Sequence, residues 1–136
     1  DQDEQTRESM RRFGLNLGIA FQMIDDVLDY EGDPATMGKN IGDDLTEGKP
    51  TLPLIYTLEH GNSDEQAVVR RAITEKTSED IALVLAAVQR CGALDYTRQQ
   101  ARNYHDLALA ELQALPDSEA RTALEAVTAL SINRNH

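Results

Sequence analysis

The chain has 136 residues, 40% hydrophobic, 27% charged and 4% aromatic, and its 13 Lys and Arg against 24 Asp and Glu leave a net charge of −11. That length suits one domain of ordinary size with enough apolar content for a core, and the negative balance argues against a nucleic-acid surface and against general attraction to anionic membranes. The single cysteine, Cys91, excludes an internal disulfide framework and fits a reducing compartment, and no apolar run approaches the roughly 20 residues needed to span a bilayer, so a cytoplasmic protein is expected.

The opening Asp1-Gln2-Asp3-Glu4-Gln5 has neither an initiator Met nor the charged-then-apolar pattern of a signal peptide, so the chain reads as a piece of something longer. From about Glu4 to Tyr30 the pattern is helical, with Phe13, Leu17, Ala20, Phe21, Ile24, Val27 and Leu28 at three- and four-residue spacing, a stripe expected to face a core. Arg11, Gly14, Gly18, Gln22, Asp25, Asp26 and Asp29 gather on the opposite side. Two glycines there lower helix propensity by roughly 1 kcal/mol each relative to Ala, which leaves room for a ligand or a neighbouring helix to lie against the backbone. Residues 31–50 carry four of the eight glycines and no sustained apolar period, and read as a long, functional loop.

Thr51 to His60 reads as a buried helix opened by Thr51 and Pro53 and closed by Gly61, and Ser63 to about Thr74 as an amphipathic one. Thr77-x-x-Asp80 resembles an N-terminal capping arrangement for a helix through Cys91, with Gly92 as its stop. A longer helix is expected from about Leu94 to Leu115, a break at Pro116-Asp117-Ser118, and a last helix from Glu119 to about Ile132. No strand-like alternation, repeat or linker is evident, so the fold class is all-α.

The chemistry concentrates in Phe21-Gln22-Met23-Ile24-Asp25-Asp26-Val27-Leu28-Asp29, an Asp-Asp-x-x-Asp motif inside a helix. Three carboxylates so close repel one another, and a divalent counter-cation is the simplest physical reason to place them there. Asp25 and Asp29, one turn apart, can reach a common hydrated magnesium ion, which prefers an incomplete carboxylate set completed by water and substrate oxygens. Lys39 and Lys49 add ammonium groups beyond it, and metal with ammonium suits a diphosphate. His60 and His105 lack partners at metal-ligand spacing and His136 is terminal, so all three read as structural or incidental. Cys91 reads as a small core residue at a helix end and Arg70-Arg71 as a solvated face.

The helix FQMIDDVLDYEGD, the following MGKNIGDDLTEGKPTLPL and their order closely resemble the second aspartate-rich motif and adjoining loop of the trans-isoprenyl diphosphate synthases. GKNIGDDLTEGKPTLPLIY and CGALDYTRQQA are most similar to the bacterial long-chain polyprenyl synthases, the octaprenyl type in particular. The resemblance implies an isoprenoid synthase helical bundle, usually a homodimer, of which residues 1–136 would be the C-terminal part. It implies that Asp25 ligates a Mg2+ bound to the allylic diphosphate, that Asp26 and Asp29 complete the acidic site largely through water, and that Asp44 holds metal-bound water. Lys39 and Lys49 would grip the departing diphosphate, Gln22 would line the site near the reacting carbons and Phe21 would flank the hydrocarbon channel, with Asp43 left to packing or solubility. The implied reaction condenses isopentenyl diphosphate with an allylic prenyl diphosphate, making a long-chain all-trans product that serves as a quinone side-chain precursor.

The family's first aspartate-rich motif, its basic residues for isopentenyl diphosphate and its length-setting bulky residues are absent from these 136 residues, so the chain alone is expected not to turn over. An alternative is a non-catalytic subunit of a heteromeric prenyl synthase. A terpenoid cyclase is disfavoured by the two-lysine segment, and a calcium module by the lack of alternating EF-hand spacing. Arg134 receives no role, although basic tails approach the substrate entrance in some relatives.

Overall fold

In a computed structural model the N-terminal apolar stripe forms the long helix α1, Gln2–Leu28. The structure describes the backbone of residues 2–31, 34–113, 115 and 118–133, and the side chains of 4–31, 38–113, 115, 118 and 121–129. Six further helices follow among the described residues, with no strand: α2 Pro34–Thr46, α3 Leu52–His60, α4 Ser63–Thr74, α5 Ile81–Arg90, α6 Ala93–Gln113 and α7 Glu119–Asn133. The all-α expectation is met. Pro116, Asp117, Arg134 and His136 lie outside the described residues.

The largest departure from the sequence reading is α2, which occupies most of what was expected to be a loop. Ile41 and Leu45, one turn apart, are fully buried, so burial of this strip outweighs the propensity lost at Gly38 and Gly42. Pro34 stands at the first helical position, where its fixed φ and missing N–H are tolerated. At Gly42 a methyl would meet Ile81 and Ser78 at 3.6 Å, an ordinary packing distance, so the approach of α2 to the turn before α5 does not itself require glycine.

The chain divides into two compact units, Asp1–Ile24 with Gln99–His136, and Asp25–Arg98. In the first, Phe13, Ala108 and Leu112 form a buried core flanked by Leu17, Leu109, Leu115 and Leu124. Arg12 Nε donates to Glu111 Oε1 at 2.8 Å, joining α1 to α6, and His105 Nε2 lies 3.2 Å from the Thr128 carbonyl, joining α6 to α7. Buried His105 is therefore structural, as expected. Ser118 caps α7 by accepting the Arg121 amide at 3.1 Å.

In the second unit α3, α4 and α5 pack on one another, and α2 packs on α4 and α5. Its core is built from Tyr30, Ile41, Leu45, Leu54, Val69, Val84 and Val88 with small alanines between them. Buried Thr57 and Thr97 satisfy their hydroxyls on carbonyls of their own helices, Pro53 and Ala93, at 2.8 Å each. Cys91 sits at the end of α5 with its sulfur 3.4 Å from the Thr57 hydroxyl, and Gly92, at φ +82°, ends the helix. The capping arrangement expected at Thr77-x-x-Asp80 does not form. Thr77 accepts from the Glu79 amide at 3.1 Å, while Arg71 draws the Asp80 carboxylate into a 2.8 Å ion pair, so Asp80 precedes the helix without capping it by its side chain. Arg71 is exposed, as expected of a solvated face, and from there it also holds Glu75 at 2.7 Å, bridging the α4–α5 junction.

A capping box opens α4: Asn62 Oδ1 accepts the Glu65 amide at 2.9 Å and Glu65 Oε1 accepts the Asn62 amide at 2.8 Å. Arg90 of α5 donates to the same carboxylate, and together with the Asn62 amide it pulls the Glu65 carboxyl from an ordinary 4.5 to about 2. A folded value below the unfolded one stabilises the fold above pH 4.5, and that contribution is lost as pH falls toward 2. Glu65→Gln is therefore expected to lower the thermal midpoint at neutral pH, with the difference from wild type shrinking through that acid window; a difference independent of pH contradicts the assignment.

Candidate active site

The aspartate motif straddles the end of α1. The Asp29 amide still donates to the Asp25 carbonyl at 3.0 Å, so the two residues sit one turn apart, both half-buried. Asp26 departs from the open face expected for it, being only 8% exposed. The next two residues anchor the motif: Tyr30 is buried in the core, and Glu31 forms an ion pair with Arg98 at the start of α6. Burial pushes the Tyr30 phenol well above its ordinary range, with the neighbouring Thr51 hydroxyl opposing and the charges of Asp44, Asp26 and Asp29 reinforcing the shift.

Helix α2 presents three strips. Ile41 and Leu45 enter the core, Lys39 and Asp43 are exposed, and Asn40 and Asp44 lie between, half-buried. The middle strip belongs to the acidic site: Asn40 Nδ2 donates to Asp29 Oδ1 at 3.4 Å. Asp29 is held above the usual carboxylate range by burial, then by the charges of Asp44 and Asp25, against the opposing pull of Asn40 and Lys49. Asp44 is likewise raised by burial, with Lys49 opposing and Glu47 and Asp43 reinforcing. One lysine does not neutralise this concentration of carboxylates.

The end of α2 joins two of these residues. The Gly48 amide donates to the Leu45 carbonyl at 3.0 Å and the Lys49 amide to the Asp44 carbonyl at 2.9 Å, the paired bonds of a Schellman cap. Gly48 takes the left-handed conformation this needs, φ +70°, and the Lys76 stem lies so close that a Cβ on Gly48 would stand 3.0 Å from its Cε. The cap turns the chain at Gly48 and ties Lys49 back to the helix that carries Asp44.

Of the residues picked from sequence, the second unit thus brings together Asp25, Asp29, Asp44 and Lys49. Lys39 is exposed on α2 beside Asn40. Gln22, exposed, and Phe21, half-buried, precede Asp25 on α1 and belong to the other unit. The sequence alone does not single out Asn40 or Tyr30. The signal for Asn40, its four-residue spacing from Asp44, is visible only once residues 34–46 are read as a helix. Among the described residues no three His, Cys, Asp or Glu side chains are disposed to enclose a metal ion by themselves.

A family model described as polyprenyl synthetase matches residues 1–91. The chain belongs to the polyprenyl synthetase family. The chain is 46% identical over 128 residues to the all-trans-nonaprenyl-diphosphate synthase (geranyl-diphosphate specific) of Rhodobacter capsulatus, covering 94% of the chain and 39% of that protein. It is 43% identical over 129 residues to the octaprenyl diphosphate synthase of Escherichia coli K12, covering 94% and 40%. Among solved structures, a geranylgeranyl pyrophosphate synthase from Lactobacillus brevis, complexed with citrate, superposes with TM-score 0.81 at 36% identity, covering 93% of the chain and 41% of that structure. A polyprenyl synthase from Caulobacter crescentus, complexed with calcium and isoprenyl diphosphate, gives TM-score 0.76 at 39% identity, covering 95% and 40%. The chain spans about two-fifths of the length of the relatives it matches.

Proposed function

We propose that this polyprenyl synthetase chain supplies the wall of a long-chain trans-polyprenyl diphosphate synthase that binds the allylic diphosphate. The observation that carries the reading is the assembly of Asp29, Asp44 and Lys49, with Asn40, around the second aspartate-rich motif. Asp25 and Asp29 would hold Mg2+, Asp44 and Asp26 would orient its waters, and bound magnesium would neutralise charge on the leaving diphosphate.

In the reaction the carbon–oxygen bond of the allylic diphosphate breaks and its electron pair leaves with the diphosphate. The double bond of isopentenyl diphosphate attacks the allylic cation, and loss of a proton restores a double bond in the extended diphosphate. Lys49 and Lys39 grip the departing diphosphate, where ammonium charge stabilises the transition state more than the ground state because negative charge is growing there. Gln22 lines the reacting carbons and Phe21 the hydrocarbon channel. Similarity to nonaprenyl and octaprenyl synthases supports a product of that length class, used as a quinone side chain. We place the enzyme in the cytoplasm as a homodimer; no helix among the described residues is long and apolar enough to cross a membrane.

The test is to express the full gene product that carries this sequence, supply isopentenyl diphosphate and an allylic diphosphate with Mg2+, and identify products by mass. Polyprenyl diphosphates, lost on chelation, are expected. No elongation overturns the reading, and hydrocarbons lacking a diphosphate would make the protein a cyclase.

A further inference from the structure

Asn40 donates from its amide nitrogen to Asp29 Oδ1, a side-chain hydrogen bond between the end of α1 and α2, the two segments that carry the site's carboxylates. Its backbone position is secured independently, because Ile41, the next residue, is buried in the core and Asp44, one turn on, belongs to the same strip. The amide is therefore delivered by a fixed helix rather than by a mobile side chain on a loop.

The residue type matters. A lysine or arginine here would also donate to Asp29, but its charge would neutralise the carboxylate and compete with any cation. Asparagine fixes one oxygen of Asp29 and leaves both the negative charge and the second oxygen available. Partners of this kind, which orient a ligating carboxylate without ligating, characteristically tune metal affinity.

We propose that Asn40 is a positioning residue that orients Asp29 for Mg2+–diphosphate while leaving its charge intact, an inference that rests on the assignment of Asp29 as a metal-binding group. It acts through Asp29 and touches neither metal nor substrate.

The test uses the full-length protein and two variants, Asn40→Ala and Asn40→Lys. Alanine is a better helix former than asparagine, so Asn40→Ala is expected to fold. Calorimetric titration with Mg2+ and inorganic diphosphate is expected to show affinity weakened by about tenfold or more in Asn40→Ala. Its prenyl transfer is expected to need correspondingly more Mg2+ and to regain nearly the wild-type kcat at saturation. Asn40→Lys is expected to raise the metal-free thermal midpoint and to weaken Mg2+–diphosphate binding as well. Unchanged Mg2+ dependence in Asn40→Ala overturns the orienting role, and wild-type binding in Asn40→Lys overturns the requirement for a neutral donor. Failure of the wild-type protein to bind Mg2+–diphosphate or elongate substrate would instead refute the functional reading itself.

Discussion

Replacing Asp29 with Asn in the full-length protein is expected to reduce polyprenyl diphosphate formation by about 10²- to 10³-fold, the range for removing one preorganised electrostatic group from a reacting site. The same change is expected to raise the thermal midpoint of the metal-free protein. Asp29 is half-buried beside the charges of Asp44 and Asp25, with Lys49 only partly opposing them. Removing one of three like charges relieves repulsion that the fold carries in the absence of a cation. Mg2+ with inorganic diphosphate is expected to raise the wild-type midpoint, since a ligand that binds only the folded state stabilises it, and to raise that of Asp29→Asn far less. Thermal melts with and without Mg2+–diphosphate, beside a turnover assay, check both halves. A variant with lost activity and a lowered metal-free midpoint would mark Asp29 as a structural residue.

The second large effect is on folding. Leu45→Ala is expected to destabilise the fold by about 2–5 kcal/mol, the cost of truncating a fully buried leucine. A domain has only about 5–15 kcal/mol in all, so the loss is a substantial fraction. Leu45 is completely buried, and its carbonyl accepts the Gly48 amide that closes α2. It therefore links the core to the segment holding Asp44 and Lys49. Chemical denaturation measures the loss, and hydrogen exchange is expected to locate the largest gain in α2 amides. A change below about 1 kcal/mol would mean that α2 is not held by this strip.

Much of the site was legible because its signals are local. Asp25 and Asp29 stand in a compact motif, and helix spacing alone places them one turn apart. The limits of α3 and the end of α5 follow directly from Pro53, Gly61 and Gly92, whose effects act within a turn or two of the chain. Two local signals misled. Four glycines between Gly32 and Gly48 read as a loop, although Ile41 and Leu45 repeat with helical spacing; two buried residues are too few to announce a helix until the core that receives them is known. Thr77 and Asp80 matched a capping pattern, but Arg71, from another helix, claims the Asp80 carboxylate.

The sequence by itself thus determined the all-α class, most helix limits, the family and the acidic motif, because each depends on residues close along the chain. Only the tertiary structure decided that residues 34–46 are helical, that Asp26 is buried and that Asn40 meets Asp29. Those outcomes depend on which faces find a partner: burying Ile41 and Leu45 against α4 and α5 overrides glycine's low helix propensity, and the resulting helix carries Asn40 and Asp44 to the acidic end of α1.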